Sequence, residues 1–252
     1  MLIAEGSDWF WWYGDDHSSA HDLEFDDLFR RHVRNIYRLL QRPIPDELFV
    51  SNISTAAAPM ALTEPTTLLS PKLDGEETSY FEWLGAGTLE IQEVAGAMHQ
   101  GDRRAALVTR IHFGFDRERF FLRVDGAQRV VDLLAGGREL SLQFVVPAGV
   151  RFWVRQTVGR LSGAFWDRRP TARERLGDDW VERGPGGATV AAGSVLEIAV
   201  PLADLGVGAG ERLAFFLTVH DQGGLELERH PEHRPIEVVT PDDLFEARAW
   251  RA

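Results

Sequence analysis

Two periodicities divide the chain. Between Asp22 and Leu40 apolar side chains recur every three or four residues: Phe25, Leu28, Phe29, His32 or Val33, Ile36, Tyr37 and Leu40. That spacing gathers them on one face of an α-helix. Asp22, Glu24, Asp26 and Asp27 crowd the first turns and Arg30, Arg31, Arg34 and Arg38 follow, a polarity that complements the helix macrodipole. Ser18, Ser19 or Asp22 can cap the start, and Pro43 and Pro45 forbid continuation. A single helix cannot hide such an apolar face from water, so the pattern predicts docking, on the later residues or on a piece outside the chain.

From Tyr80 onward the period is two. Leu107 to Phe115 and Arg119 to Asp125 alternate about the turn Asp116-Arg117-Glu118, which predicts a hairpin. Leu140, Leu142, Phe144 and Val146 form a further inward set. Val150, Phe152 and Val154 then alternate with Arg151, Trp153 and Arg155. Two more sets follow: Leu196, Ile198 and Val200, then Leu213, Phe215, Leu217 and Val219. The polar, glycine-rich stretch 168–193 reads as a long loop with room for one edge strand. Short strands with glycine-rich turns and little helix between them predict an antiparallel β-sandwich preceded by a short α-helical segment. Between the two regimes, Ala56-Ala57-Ala58-Pro59 and Thr63-Glu64-Pro65-Thr66-Thr67 show no sustained period and read as an extended linker, pinned by Phe49, Ile53 and Leu68. The expected division is therefore a helical segment over 1–48, a linker over 49–78 and a sandwich over 79–252.

Composition narrows the partners. The 252 residues carry a formal charge of -12, which argues against nucleic acid and anionic membrane surfaces. No cysteine is present, so disulfides, thiolate metal sites and cysteine nucleophiles are excluded. No apolar run approaches membrane-spanning length, and Met1 to Glu5 lack the basic region of a secretory signal. The expectation is a soluble, cytoplasmic protein.

The densest chemical signal is Ser7-Asp8-Trp9-Phe10-Trp11-Trp12-Tyr13-Gly14. Aromatic faces beside carboxylates suit sugar rings, whose C–H faces stack while their hydroxyls bond the acid. The same stretch also reads as an aromatic anchor for the helix. Glu5, Asp8, Asp15 and Asp16 lie close in sequence, but glycoside hydrolysis needs two carboxylates placed across one bond, and adjacency does not supply that. Asp15, Asp16, His17, His21 and Asp22 have metal-ligand chemistry, yet stand where Asp and Ser cap a helix. His230-Pro231-Glu232-His233 reads as a polar loop. No metal and no organic cofactor is expected. There is no nucleophile elbow and no phosphate-cradling loop. In the strand region Trp83, Trp153, Trp166 and Trp180 are candidate sugar platforms. Trp153 alternates with inward residues and so faces outward.

The run Ala4 to Gly14, followed by Asp16-His17-Ser18-Ser19, Phe25-Asp26 and Leu28-Phe29-Arg30, resembles the end of the catalytic region of glycoside hydrolase family 57, the α-glucan-active amylases, glucanotransferases and branching enzymes. The resemblance covers about the first 48 residues. It implies that Asp8 and Trp11 contact sugar near the scissile bond. It also implies that the catalytic glutamate and aspartate belong to a barrel N-terminal to this region, so the chain reads as a C-terminal portion without a catalytic pair of its own. Val195 to Gly206, then Arg212 to Asp221, is similar to the closing strands of family 9 carbohydrate-binding or DOMON-like sandwich modules. Tyr80 to Gly85 and Gly114 to Asp125 also look like the accessory domain that trails such family 57 proteins. The implied partner is an α-glucan or maltooligosaccharide; the alternatives are a non-catalytic carbohydrate-binding module and a scaffold whose partner is a separately encoded catalytic barrel. The candidate sugar-binding residues are thus Asp8 and Trp11, from the resemblance, with Trp153 and Trp83 from the strand region.

Overall fold

The computed structural model describes residues 22–42, 44–51, 62–91, 106–169, 179–231 and 234–249. Thirteen strands among these residues form two antiparallel sheets. Sheet A runs, in spatial order, β1 (Leu62–Thr63), β2 (Gly87–Glu90), β3 (Val108–Phe115), β4 (Arg119–Gly126), β10 (Val195–Pro201) and β9 (Thr189–Ala192). Sheet B runs β12 (Glu226–His230), β11 (Arg212–His220), β5 (Glu139–Val146), β6 (Val150–Thr157), β7 (Arg160–Arg169) and β8 (Asp179–Gly184), with β13 (Ile236–Val239) pairing the start of β11. The helices are α1 (Asp22–Leu39), α2 (Val130–Ala135), α3 (Leu202–Leu205) and α4 (Phe245–Ala249). The mainly β sandwich with a short leading helix is the architecture that the alternation predicts.

The predicted hairpin is β3–β4, and Asp116 closes it by accepting from the backbone N–H groups of Glu118 and Arg119 at 2.8 and 2.6 Å. The stretch 168–193 departs from the expected long loop. It contributes β8 and β9, one edge strand to each sheet. The inward side chains of both sheets form one core, in which Phe215 of β11 meets Phe120 and Phe113 of sheet A at ring separations of 5.0 and 5.9 Å. Gly163 of β7 faces this core. A Cβ there would stand 2.5 Å from Cζ of Phe152 and 2.7 Å from Val190, so the strand carries glycine where the aromatic ring needs the space.

Helix α1 forms as its spacing predicts but docks through a different stripe. Its fully buried positions are Asp26, Arg30 and Arg34, spaced by four, whereas Phe25 and Leu28 of the apolar face keep 40% and 42% of their surface exposed. The reason lies in the turn that follows, a short 3-10 helix over Asp46–Phe49. Arg30 and Arg34 both donate to the carbonyl of Leu48, and Asp26 accepts from Arg30 and from the hydroxyl of Ser51 at 2.6 Å. Each of these buried charges thus has a partner, the bonds to Asp26 all falling on Oδ2 while its buried Oδ1 meets no donor among the described residues. The turn is in turn pinned to sheet B: Phe49 packs edge-on to Phe216, lies under the Arg229 guanidinium at 3.2 Å, and is 2% exposed.

Of the predicted linker, 49–78, residues 62–78 are held against sheet A, whereas Phe49 packs on sheet B. β1 pairs β2, and Leu69 is buried beside Trp83 and Phe121. The anchor is Glu197, a carboxylate on the outer face of β10 with no solvent exposure. One of its oxygens accepts from the backbone N–H of Asp74 and of Gly75, each at 2.9 Å; the other accepts from Nε1 of Trp83 at 3.1 Å. Gly75 has φ +79° and sits so close to Ala192 and Gly193 that a Cβ would lie 2.6 Å from their backbone. The segment can therefore reach Glu197 only with glycine at that position. Replacing Glu197 by Ala leaves three buried donors without an acceptor, and the expected loss of stability is about 3–5 kcal/mol. Glu197→Gln, which retains one acceptor oxygen, is expected to lose clearly less. Urea unfolding of the two variants checks the order.

Candidate functional site

The outer face of sheet B carries polar and aromatic side chains because each of its strands alternates them with core residues. On β6, Phe152 and Val154 are fully buried inward, and Arg151, Trp153 and Arg155 point to the other face. The register then sets neighbours. Trp153 lies between Ser141 of β5 and Ala164 of β7, and Arg151 between Gln143 and Trp166. Trp180 of β8 stands opposite Arg168, and Glu182 opposite Trp166. Three of the four candidate tryptophans of the strand region thus come from adjacent strands to one open cleft of about 250 Å³, lined by Glu139, Arg151, Trp153, Arg155, Trp166 and Trp180.

Trp83 is not with them. It is only 7% exposed, its ring packs with Leu69, Phe121 and Ala199 under the 62–86 segment, and its N–H is taken by Glu197. The expectation that Trp83 offers a sugar platform is corrected: its ring is a structural plug on sheet A. Asp8 and Trp11 lie outside the described residues, as do Asp15, Asp16, His17 and His21. His230 is held by Glu228 at 3.0 Å, and Glu228 also accepts from the backbone of Leu107 and Val108. Among the described residues no group of three or more His, Asp or Glu side chains is arranged to hold a metal ion.

Around the cleft the charges are ordered by neighbours. Arg151 bonds both carboxylate oxygens of Asp46 at 3.1 and 3.3 Å, and its guanidinium lies 3.8 Å over the Trp180 ring. Such stacking of a planar cation on an indole fixes both partners. Arg155 reaches across β7 to Glu182 at 3.2 Å. Burial, with Asp221 adding repulsion, raises the pKa of Glu139 against the pull of Arg155. The indole N–H groups of Trp166 and Trp180 are shielded from water and meet no acceptor among the described residues. A buried donor without a partner costs stability, and an ordered water or a ligand is one way of meeting it.

Beneath Trp153 lies a second layer of polar groups. The ring of His220 sits 4.5 Å from that of Trp153. Its Nδ1 faces the carbonyl of Gly224 at 3.4 Å and its Nε2 the hydroxyl of Thr218 at 2.8 Å. A neutral imidazole protonated at Nδ1 satisfies both contacts. Thr218 also accepts from Gln143, whose carbonyl oxygen accepts from Arg229, which in turn is clamped by Glu226. Sequence patterning identified the alternation of Trp153 with Arg151 and Arg155. It did not single out Glu139, Asp46 or His220, whose roles depend on strands distant in the chain.

No protein-family model matches the chain, and no curated protein matches it.

Burial holds the pKa of His220 down at about 4 from its ordinary 6.5, reinforced by Arg229 and Arg151 and opposed by Glu226. The unfolded chain therefore binds a proton at this residue between pH 6.5 and 4 that the folded chain refuses. Stability is fully present above pH 6.5 and is lost as pH falls toward 4. The expected loss through His220 between pH 7 and 4.5 is about 2–3 kcal/mol. Denaturant unfolding at both pH values should show that difference shrinking in His220→Gln.

Proposed function

We propose that the chain is a carbohydrate-binding portion of an α-glucan-processing protein, and that it holds sugar at the three-tryptophan cleft on sheet B. The observation that carries the reading is the convergence of Trp153, Trp166 and Trp180 from three neighbouring strands beside Glu139, Arg151 and Arg155. Indole faces stack on the apolar faces of pyranose rings, and the flanking charged groups supply donors and acceptors for hydroxyls. Rings fixed from behind, as Trp153 is by His220 and Trp180 by Arg151, lose little freedom when a ligand arrives. The α-glucan class rests on the resemblance of residues 4–30 to glycoside hydrolase family 57.

The same resemblance makes the chain the C-terminal portion of an enzyme performing retaining hydrolysis or transfer, with the catalytic pair on its barrel. Glu139 is the one carboxylate among the described residues that line the tryptophan cleft, and a glycosidase needs two across the bond. The chain alone is therefore expected to release no reducing ends from amylose or maltoheptaose above the rate without protein. Turnover that disappears in Asp8→Ala would overturn this part of the reading.

Binding is tested by titrating maltoheptaose while following tryptophan fluorescence and calorimetric heat. Saturable binding is expected, weakened about tenfold by Trp153→Ala and by Trp166→Ala, the worth of one stacked ring. Neither a spectral change nor heat at millimolar sugar would refute the proposed site.

A further inference from the structure

A second depression adjoins the cleft on the same face. It has a volume of about 480 Å³ and is lined from that face by Arg155, Arg160, Ser162, Ala164 and Glu182. Arg155 belongs to both hollows. The cause is in the sequence of β7. Its outward positions run Trp166, Ala164 and Ser162, opposite Arg151, Trp153 and Arg155 of β6. After one large ring come two small side chains, so the surface drops along the strand. Along one side Trp153 and Arg155 rise on β6; on the other Glu182 of β8 rises opposite Trp166, and β8 ends at Gly184 opposite Phe165.

From this we infer that the site is an elongated trough along β7, built for a linear oligosaccharide of several neutral hexose units and not for a single sugar or a chain end. The inference rests on the carbohydrate-binding reading above and names the form of ligand that the site takes. From Ser162 to Trp166 the strand advances about 13 Å, longer than one pyranose.

The trough's middle is crossed by the Arg155–Glu182 ion pair, whose side chains are 41% and 43% exposed. An exposed pair of this kind adds little to stability, so its two ends remain available to a ligand. Guanidinium N–H groups beside a carboxylate offer donors and acceptors side by side, the complement of two neighbouring hydroxyls on a hexose. At the tryptophan end a ligand without charge is favoured, because the two arginines there are each matched by a carboxylate, Arg151 by Asp46 and Arg155 by Glu182.

The experiment compares glucose, maltose, maltotriose and maltoheptaose by calorimetry on the full chain. Affinity is expected to climb at least tenfold from maltose to maltoheptaose. Ser162→Phe, which fills the second depression, is expected to cut that gain to less than threefold, and Glu182→Ala to reduce it as well. Circular dichroism establishes that each variant is folded; if Ser162→Phe is not, Glu182→Ala decides. Equal affinity for maltose and maltoheptaose would overturn the trough while leaving the tryptophan cleft standing. A length-dependent gain untouched by both substitutions would also overturn it. Absence of binding by every sugar would remove the cleft and the trough together.

Discussion

The contact between Phe215 and its partners is the constraint on which the other features depend. Its ring meets Phe113 and Phe120 across the interlayer space and Phe144 on the neighbouring strand. Six other phenylalanines and leucines buried to 0% or 1%, Phe115, Leu122, Leu140, Leu142, Phe152 and Phe165, extend this seam through β3, β4, β5, β6 and β7. A strand has only two faces, so every residue committed to the seam assigns its neighbour to the outside. Phe152 and Val154 in the core put Arg151, Trp153 and Arg155 on the open surface. A register slip of one residue would exchange the two sets and bury two guanidinium groups and an indole in an apolar layer. The aromatic seam therefore aims the cleft residues as well as holding the sheets together.

The fold was legible where one face is apolar without interruption. The sets on β3, β4, β5, β6, β10 and β11 alternate cleanly, and the sandwich follows from them. β7 was hidden because its core position 163 is glycine, demanded by the Phe152 ring, so the alternation loses an apolar beat where it would be counted. β8 and β9 are edge strands with little to bury, and short polar edges look like loop. Helix α1 shows the limit from the other side. Its length and polarity were legible, but docking was decided by the carbonyl of Leu48 and by Ser51, partners that no helical periodicity reveals.

The site was legible in part for the same reason. Trp153 followed from alternation on its own strand. That Trp166 and Trp180 join it depends on how β7 and β8 pair, and neither strand announced itself. Trp83 sits among exposed aromatics, Tyr80 and Phe81, so its neighbours in sequence suggest a surface ring. Its fate was set by Glu197, a residue 114 positions away in an otherwise apolar run. A lone acid inside Val195-Leu196-Glu197-Ile198-Ala199-Val200 was a visible signal that some donor must be brought to it, since a carboxylate is not left bare in such surroundings.

Why the cleft lies on the β6–β8 part of sheet B follows from what covers the rest. Over β4 and β10 the outer face of sheet A is covered by residues 62–86: Phe121, Glu197 and Ala199 are at most 2% exposed beneath Leu69 and Trp83. Over β11 and β5 the turn Asp46–Phe49 does the same, and Phe216, Thr218 and Gln143 are buried under it with Arg229. Towards the other edge the turn reaches only Arg151 of β6, which Asp46 takes, and Arg168 of β7, which Glu47 meets at 3.6 Å. Beyond that boundary the outward side chains of β6, β7 and β8 remain part-exposed. Tryptophans spread over the open part of such a sheet would be a liability for solubility if they served nothing. Here they are confined to the open part, backed by His220 and an arginine, and flanked by ion pairs that keep the surface wet.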